Sequence, residues 1–428
     1  MRATLASSIG VTCAALLALP FVLPDGASTD QQQLAGSQSA ELPGTTRSLP
    51  LTPPGGQARG SDRGSGPGLD RGFDRGLDRA VSQVPQVSLE PQAVEPFSLV
   101  GVVWEDPRAV LEGQVQVRTR AVGTGVWSPW QELDAHSADG ADPGAAEVRA
   151  HGSTAPLWVG ASDGVEARVR RAGTASAPLP AGLRLDLVDP GPDPRRPRAA
   201  AAGLELPALT RAETKAEAEA EAGSAKPYIG PRPRIVLRKG WGADERLKEK
   251  GNVYTKTIKV AFVHHSATGN GYSCSQSGSV LRSIYRYHVK SSGWRDFGYN
   301  FAVDKCGNVY EGRAGGVAKP VMGAHTLGFN TNSMGIAVLG TYSHANPPAA
   351  AVNAVAKLTA WKLGLHGANP KAATHLTSGG SNLYRKGANV RLNVVSGHRD
   401  GFATECPGGR LYGKLGTARW AAGRLQGR

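Results

Sequence analysis

The chain has 428 residues, 40% of them hydrophobic, and carries 49 Lys and Arg against 35 Asp and Glu for a formal net charge of +14. That length excludes one ordinary domain. The charge is uneven: from Tyr228 onward there are 28 Lys and Arg and 8 Asp and Glu, so the first half is slightly acidic. A basic C-terminal half points to a polyanionic partner, and nucleic acid, anionic lipid and an anionic cell wall all fit; a basic surface kept for solubility fits as well.

Arg2 is the sole charge before Asp25, and Val11 to Leu23 is apolar. This run is too short to span a bilayer comfortably and suits the apolar region of an export signal over residues 1–27, which predicts a secreted protein. No second long apolar stretch follows, so no transmembrane segment is expected. Cys13 lies inside the signal and leaves with it. Cys274, Cys306 and Cys406 remain, and an odd count leaves one thiol with another task, with three pairings open.

Residues 28–96 are rich in Gly, Pro, Ser and Gln, and they contain the repeat Asp70-Arg71-Gly72-Phe73, Asp74-Arg75-Gly76-Leu77, Asp78-Arg79. Such a segment cannot bury a core and is expected to be a disordered, low-complexity tether. Residues 97–190 alternate instead with period two, as in Gln114-Val115-Gln116-Val117-Arg118-Thr119-Arg120 and Glu166-Ala167-Arg168-Val169-Arg170. They predict a small all-β domain, a sandwich. Trp127 and Trp130 there read either as a carbohydrate platform or, more commonly for such residues, as packing. Residues 191–227 read as a linker, whose Glu213–Glu221 stretch can be helical but has no apolar face to dock.

From Tyr228 strands and helices alternate. Thr257 to Val263 reads as a strand ending in His264-His265, and Ser279 to Val289 as an amphipathic helix with Val280, Ile284 and Tyr287 on one face. Phe297 to Val303 and Val309 to Glu311 read as strands around a Lys305–Asn308 turn, and Met334 to Leu339 as a buried strand. Pro347-Pro348 opens a helix with Val352, Val355, Thr359 and Leu363 inward and Gly364 as its C-cap glycine. Val390 to Val395 is a last strand running into Gly397-His398. The fold class is therefore α/β for residues 228–428, a central mixed sheet flanked by helices.

Two chemical points each follow a strand, where α/β folds place their sites. One is His264-His265, of which only one side chain normally faces a given site. The other is His398, with Cys406 eight positions later, so that the intervening loop can bring both to one centre. Two imidazoles and a thiolate make three protein ligands, and tetrahedral zinc with three protein ligands keeps a fourth position for water. A His and a Cys at this spacing are weak evidence alone, because buried histidines satisfied by backbone groups are common.

The motifs Phe262-Val263-His264-His265-Ser266-Ala267-Thr268, Gly298-Tyr299-Asn300-Phe301, Tyr310-Glu311-Gly312-Arg313, Gly323-Ala324-His325, Asn332-Ser333-Met334-Gly335-Ile336 and Gly397-His398-Arg399-Asp400 occur in that order, with Arg238–Ala243 before them. This set resembles the peptidoglycan recognition protein family and the related phage-lysozyme-type amidases, over roughly residues 228–420. The resemblance implies a zinc-dependent N-acetylmuramoyl-L-alanine amidase acting on bacterial peptidoglycan. It places Zn2+ on His264, His398 and Cys406, a catalytic role on Tyr299 and on Thr404, and substrate contacts at His265, His325 and Asn330. Thr404 departs from the phage pattern, which has lysine there, and His325 also reads as a polar residue holding a loop. The resemblance further implies a Cys274–Cys306 disulfide. His288, Trp294 and Trp361 read as core, Arg313 as a hairpin tie, and Glu405 as pointing away from the centre.

Recognition members of the family bind without cutting when the Cys ligand is replaced, so a non-catalytic peptidoglycan-binding module is the rival, and Cys406 favours the enzyme. No aromatic-basic interleaving or recognition helix supports nucleic acid, which leaves anionic wall polymers as further candidate partners. A monomer is expected. All implied site residues follow Ile258, so the β-rich domain and linker are expected to be dispensable for the chemistry.

Overall fold

Period-two alternation builds the first domain. Along the strand Gly113–Ala121, Val115, Val117 and Thr119 are buried while Gln114 is exposed and Gln116 and Arg118 are half-buried. The computed structural model describes residues 44–53, 87–135, 139–140, 150–171, 178–194 and 203–428. The expected export signal, Cys13 and the Asp70–Arg79 repeat lie outside the described residues. Seven strands, β1 (Thr45–Pro50), β2 (Val87–Trp104), β3 (Gly113–Ala121), β4 (Gln131–Leu133), β5 (Gly152–Ser153), β6 (Leu157–Arg171) and β7 (Arg184–Asp189), form one antiparallel sheet in the order β1-β7-β2-β6-β3-β4, with β5 on β2. The long strands β2 and β6 change register between Leu89 and Gln92, Ala93 and Phe97, and Phe97 and Leu99. The domain is all-β as expected, and these irregularities let the long strands bend while the ladder stays continuous.

The expected 28–96 tether is corrected over residues 44–53 and 87–96. β1 pairs residue for residue with β7 from Thr45 to Pro50, and β2 begins at Val87. An edge strand needs its backbone ladder and few apolar contacts, and here Leu49 and Leu51 supply them. Trp127 and Trp130 do not form a bare platform: the Arg118 guanidinium lies 5.3 and 5.2 Å from their ring centres, and that of Arg168 lies 3.8 Å from Trp130.

The second domain holds β8 (Glu205–Leu206), α1 (Arg211–Ala222), β9 (Ile235–Val236), α2 (Arg238–Trp241), β10 (Val260–His265), α3 (Ser277–Arg286), β11 (Phe301–Val303), β12 (Val309–Glu311), β13 (Ser333–Val338), α4 (Ala349–Leu365), β14 (Ala373–Thr377), β15 (Asn389–Asn393), β16 (Val395–Gly397), α5 (Gly409–Tyr412) and α6 (Leu415–Gln426). Its mixed sheet runs β16-β10-β13-β11-β12-β9-β8, and β14 and β15 pair separately. β16, β10, β13 and β11 are mutually parallel. Alternation sorts the two faces: Ile336 and Val338 pack with Val355 of α4 and Leu415 of α6, whereas Ala337 packs with Val280 and Ile284 of α3. Both faces are thus covered, as a parallel sheet requires. Among the described residues no helix is long and apolar enough to cross a membrane.

The expected linker is also corrected. A Thr210–Glu213 capping box starts α1. Thr214 is buried and accepts the Arg232 N–H at 3.0 Å, Glu217 pairs with Arg232, and Ala218 packs on the core. The docking face is built of small residues and one hydroxyl, which a search for large apolar side chains passes over. Gly364 lies inside α4, not at its cap; an added Cβ would stand 2.7 Å from the Tyr228 carbonyl oxygen, and Gly367, at φ 74°, takes the left-handed position.

The Cys274–Cys306 disulfide is present, with Cα atoms 6.3 Å apart, and Cys406 is free and buried. Its sequence separation of 32 residues corresponds to about 3–4 kcal/mol in the chain-entropy account. His288, Trp294 and Trp361 are core residues, and Arg313 ties its hairpin by donating to the Phe297 and Met322 carbonyls.

The two domains share a core. Leu99, Val103, Trp158 and Val188 of the first pack with Val280, Ile284 and Tyr287 of the second. The Tyr287 hydroxyl donates to the Thr154 carbonyl at 3.1 Å, and the His151 N–H to that of Ser292 at 2.9 Å. An added Cβ at Gly101 would overlap the Tyr287 hydroxyl. Gly101→Ala is therefore expected to cost about 1–3 kcal/mol by overpacking the domain interface, seen as a lower urea midpoint. An unchanged midpoint would mean that the domains do not hold this contact in solution.

Candidate metal centre

Three parallel strands end together and bring the ligating side chains to one edge. β10 lies between β13 and β16, with His264 level with Ala337 and His265 with Val338. His398 follows β16 directly and opens a short turn, His398–Asp400, held by the Gly397 N–H on Asp400 Oδ2 at 2.9 Å. The chain then folds back: the Arg399 N–H donates to the Cys406 carbonyl at 3.0 Å. The Cys406 N–H donates to Thr404 Oγ1 at 3.2 Å.

The ligand atoms of His264, His398 and Cys406 lie within 4.8 Å of one another, and all three residues are fully buried. Cys406 Sγ is 3.8 Å from His264 Nδ1. Neither ring nitrogen of His398 has a hydrogen-bond partner, a costly state for a buried polar group that bound metal relieves. Burial holds both imidazoles down to about 3, so they are neutral and carry free lone pairs. Burial pushes the Cys406 thiol well up, and a cation is what would recover the thiolate. Two neutral imidazoles and a soft sulfur fit zinc.

Around these atoms stands an orienting shell. Thr326 Oγ1 is 3.4 Å from His264 Nε2 and 3.0 Å from His325 Nδ1. Asn330 Oδ1 accepts the N–H groups of His325 at 2.8 Å and Thr326 at 3.1 Å. His325 is fully buried, and added Cβ atoms at Gly323 and Gly335 would each stand 2.5 Å from its ring. It therefore holds the loop behind His264, the other of its two expected readings, and does not line a groove. Thr404 has its hydroxyl on the Cys406 N–H, so it shapes the ligand loop. Glu405 points outward to Arg399.

Tyr299 stacks near His264, ring centres 5.1 Å apart, and burial and a neighbouring carboxylate hold its phenol well above the usual range. His265 faces the other way. Its Nδ1 accepts the Tyr342 N–H at 3.2 Å, its Nε2 is buried without a hydrogen-bond partner, and the residue lines a small cavity with Tyr299, His288 and Asp139.

Asp139 and Thr326 were not among the expected site residues. Asp139 belongs to the first domain, yet its Oδ1 lies 3.1 Å from His264 Nδ1 and 3.3 Å from His398 Nδ1, and its Oδ2 accepts the Tyr299 hydroxyl at 2.5 Å. The β-rich domain, expected to be dispensable for the chemistry, thus places a carboxylate at the centre. No local pattern marks Asp139 in the sequence; Thr326 follows His325 directly and could have been found as its neighbour.

Two family models match the chain, one described as Rv3811 N-terminal galactose-binding domain-like over residues 39–201 and one as N-acetylmuramoyl-L-alanine amidase over residues 254–409. Peptidoglycan-recognition protein SC2 of Drosophila simulans is 31% identical over 192 residues, 44% of this chain and 88% of the relative. The N-acetylmuramoyl-L-alanine amidase of Homo sapiens is 31% identical over 188 residues, 43% of this chain and 28% of that protein. A solved structure of peptidoglycan recognition protein-LE in complex with tracheal cytotoxin (monomeric diaminopimelic acid-type peptidoglycan) matches at 30% identity over 43% of this chain and 92% of that chain, with a TM-score of 0.33.

Proposed function

The chain belongs to the peptidoglycan-recognition protein family, and from that premise we propose that it is a secreted, zinc-dependent N-acetylmuramoyl-L-alanine amidase of the bacterial cell wall. The bond cut is the amide between the lactyl group of N-acetylmuramic acid and L-alanine. The family includes proteins named for recognition and proteins named for hydrolysis, so membership alone does not choose between them. The observation that carries the choice is the complete buried set His264, His398 and Cys406, with two orphaned nitrogens on His398. A module that only binds glycopeptide needs no such cluster beneath its surface.

Zinc held there supplies Lewis acidity and a water of lowered pKa. The chain's own residues do the rest. Tyr299, protonated at neutral pH because burial raises its phenol, donates a hydrogen bond to the oxygen that gains charge when the amide carbonyl is attacked. Thr326 fixes the His264 ring from behind. Thr404 fixes the loop that delivers Cys406. His265 Nε2 and, once the Gly140 carbonyl it holds is displaced, the Asn330 amide are the polar groups for the glycopeptide.

The test is product identity. Zinc-loaded protein incubated with disaccharide-peptide should release an intact sugar and a peptide with a free L-alanine amino group, read by mass spectrometry. Cleavage within the peptide, or between the sugars, would defeat the assignment; binding of the disaccharide-peptide without any cleavage by the zinc-loaded protein would favour a recognition module.

A further inference from the structure

The described part of the segment between β4 and β5 reaches from the first domain into the centre of the second. Its chain leaves β4 at Leu133 and returns at His151, which is pinned to Ser291 and Ser292 of the second domain. From it Asp139, its side chain 11% exposed, places Oδ1 3.1 and 3.3 Å from the Nδ1 atoms of His264 and His398. Ligand atoms sharing a tetrahedral zinc at about 2.0–2.1 Å stand roughly 3.3 Å from one another, so Oδ1 stands at ligand-to-ligand distance from both imidazoles. That oxygen accepts no hydrogen bond, although it is buried. The second carboxylate oxygen takes the Tyr299 hydroxyl at 2.5 Å, and the next residue's carbonyl, that of Gly140, takes the Asn330 amide at 2.9 Å. One dipeptide thus engages the open coordination position, the oxyanion donor and a polar group otherwise offered to substrate. A general base acting through a bound water would stand about 2.7 Å further out, one hydrogen bond beyond the open position.

We propose that Asp139 is an intramolecular stopper, supplied by the first domain to occupy the fourth position of the His264–His398–Cys406 centre and to hold Tyr299, so that the amidase domain is latent while Asp139 and Gly140 are seated. This rests on the zinc-amidase reading. Substrate must displace the pair, and its apparent affinity is reduced by the fraction of molecules already open. An open fraction of about 1–10% makes the suppression about 10- to 100-fold.

The experiment compares full-length wild type with Asp139→Ala and Asp139→Asn, in zinc and cobalt(II) forms. Asp139→Asn keeps the size of the side chain and controls for folding. The expected result is a 10- to 100-fold rise in kcat/KM for soluble muropeptide, a matching gain in muropeptide affinity by calorimetry, and a changed visible spectrum of the cobalt form as a carboxylate ligand leaves. A fall in kcat/KM would overturn the stopper and make Asp139 a catalytic group. Equal hydrolysis, affinity and spectra in all three proteins would overturn it and leave the amidase reading standing. Absent hydrolysis in all three, with tighter muropeptide binding and an altered spectrum in the variants, would retire the amidase reading and support the stopper.

Discussion

Cys406→Ser is expected to lower muropeptide hydrolysis by at least about 10³-fold, since removing even an outer-shell partner of a metal ligand typically costs 10–100-fold. Serine replaces one atom, and the site is fully buried within a loop fixed by Arg399 and Thr404, so the fold should survive. What is lost is the soft anionic donor; a serine hydroxyl stays protonated at neutral pH and is a poor zinc ligand. Metal content should fall with activity, while wall binding, which draws on groups outside the ligand set, should persist. Asp139 adds a refinement. Its carboxylate lies close to both imidazoles and can lend the Cys406→Ser protein a substitute third ligand, so Cys406→Ser with Asp139→Ala should hold less zinc than Cys406→Ser alone. Metal analysis, muropeptide hydrolysis and wall pull-down on the same preparations check this. A zinc-loaded, fully active Cys406→Ser protein would require a different ligand set.

The parts of the site legible in the sequence were those carried by contiguous motifs. His264-His265 closes an apolar strand, and His398 and Cys406 flank one short loop, so strand ends and spacing marked the places, while the resemblance of the motifs singled out His264, His398 and Cys406 as ligands. The ring packing of His325 was not legible, because it depends on Gly323 and Gly335, which stand close together only once β13 is in place. Docking of the first domain left a readable trace. Leu99 to Trp104 is apolar without alternation, the mark of a strand buried on both faces. The structure uses both, with Val100 and Val102 turned to the domain's own core and Leu99 and Val103 to the second domain. α1 was misread because Thr214 and Ala218 dock through small groups. Asp139 was beyond reach of pattern, since its meaning lies in partners 125 or more positions away in another domain.

Tyr299→Phe is the second large effect, a fall in kcat of about 10²–10³ with metal content unchanged, the cost typical of one lost oxyanion donor. The phenol ring packs between Phe297 and His264, contacts phenylalanine keeps, so only the hydroxyl is removed. Because that hydroxyl also donates to Asp139 Oδ2, the substitution does two opposing things in the wild type: it removes a catalytic donor and loosens the stopper. The two separate when Tyr299→Phe is made in both wild-type and Asp139→Ala proteins. In the Asp139→Ala background only the catalytic loss remains, so the full 10²–10³ should appear in kcat with little change in KM. In the wild-type background release of Asp139 should offset part of it, and the fall in kcat/KM should be smaller. Equal falls in the two backgrounds would mean that the Tyr299–Asp139 hydrogen bond does not help to seat the stopper. No fall in either would remove Tyr299 from the chemistry and leave oxyanion stabilisation to the metal.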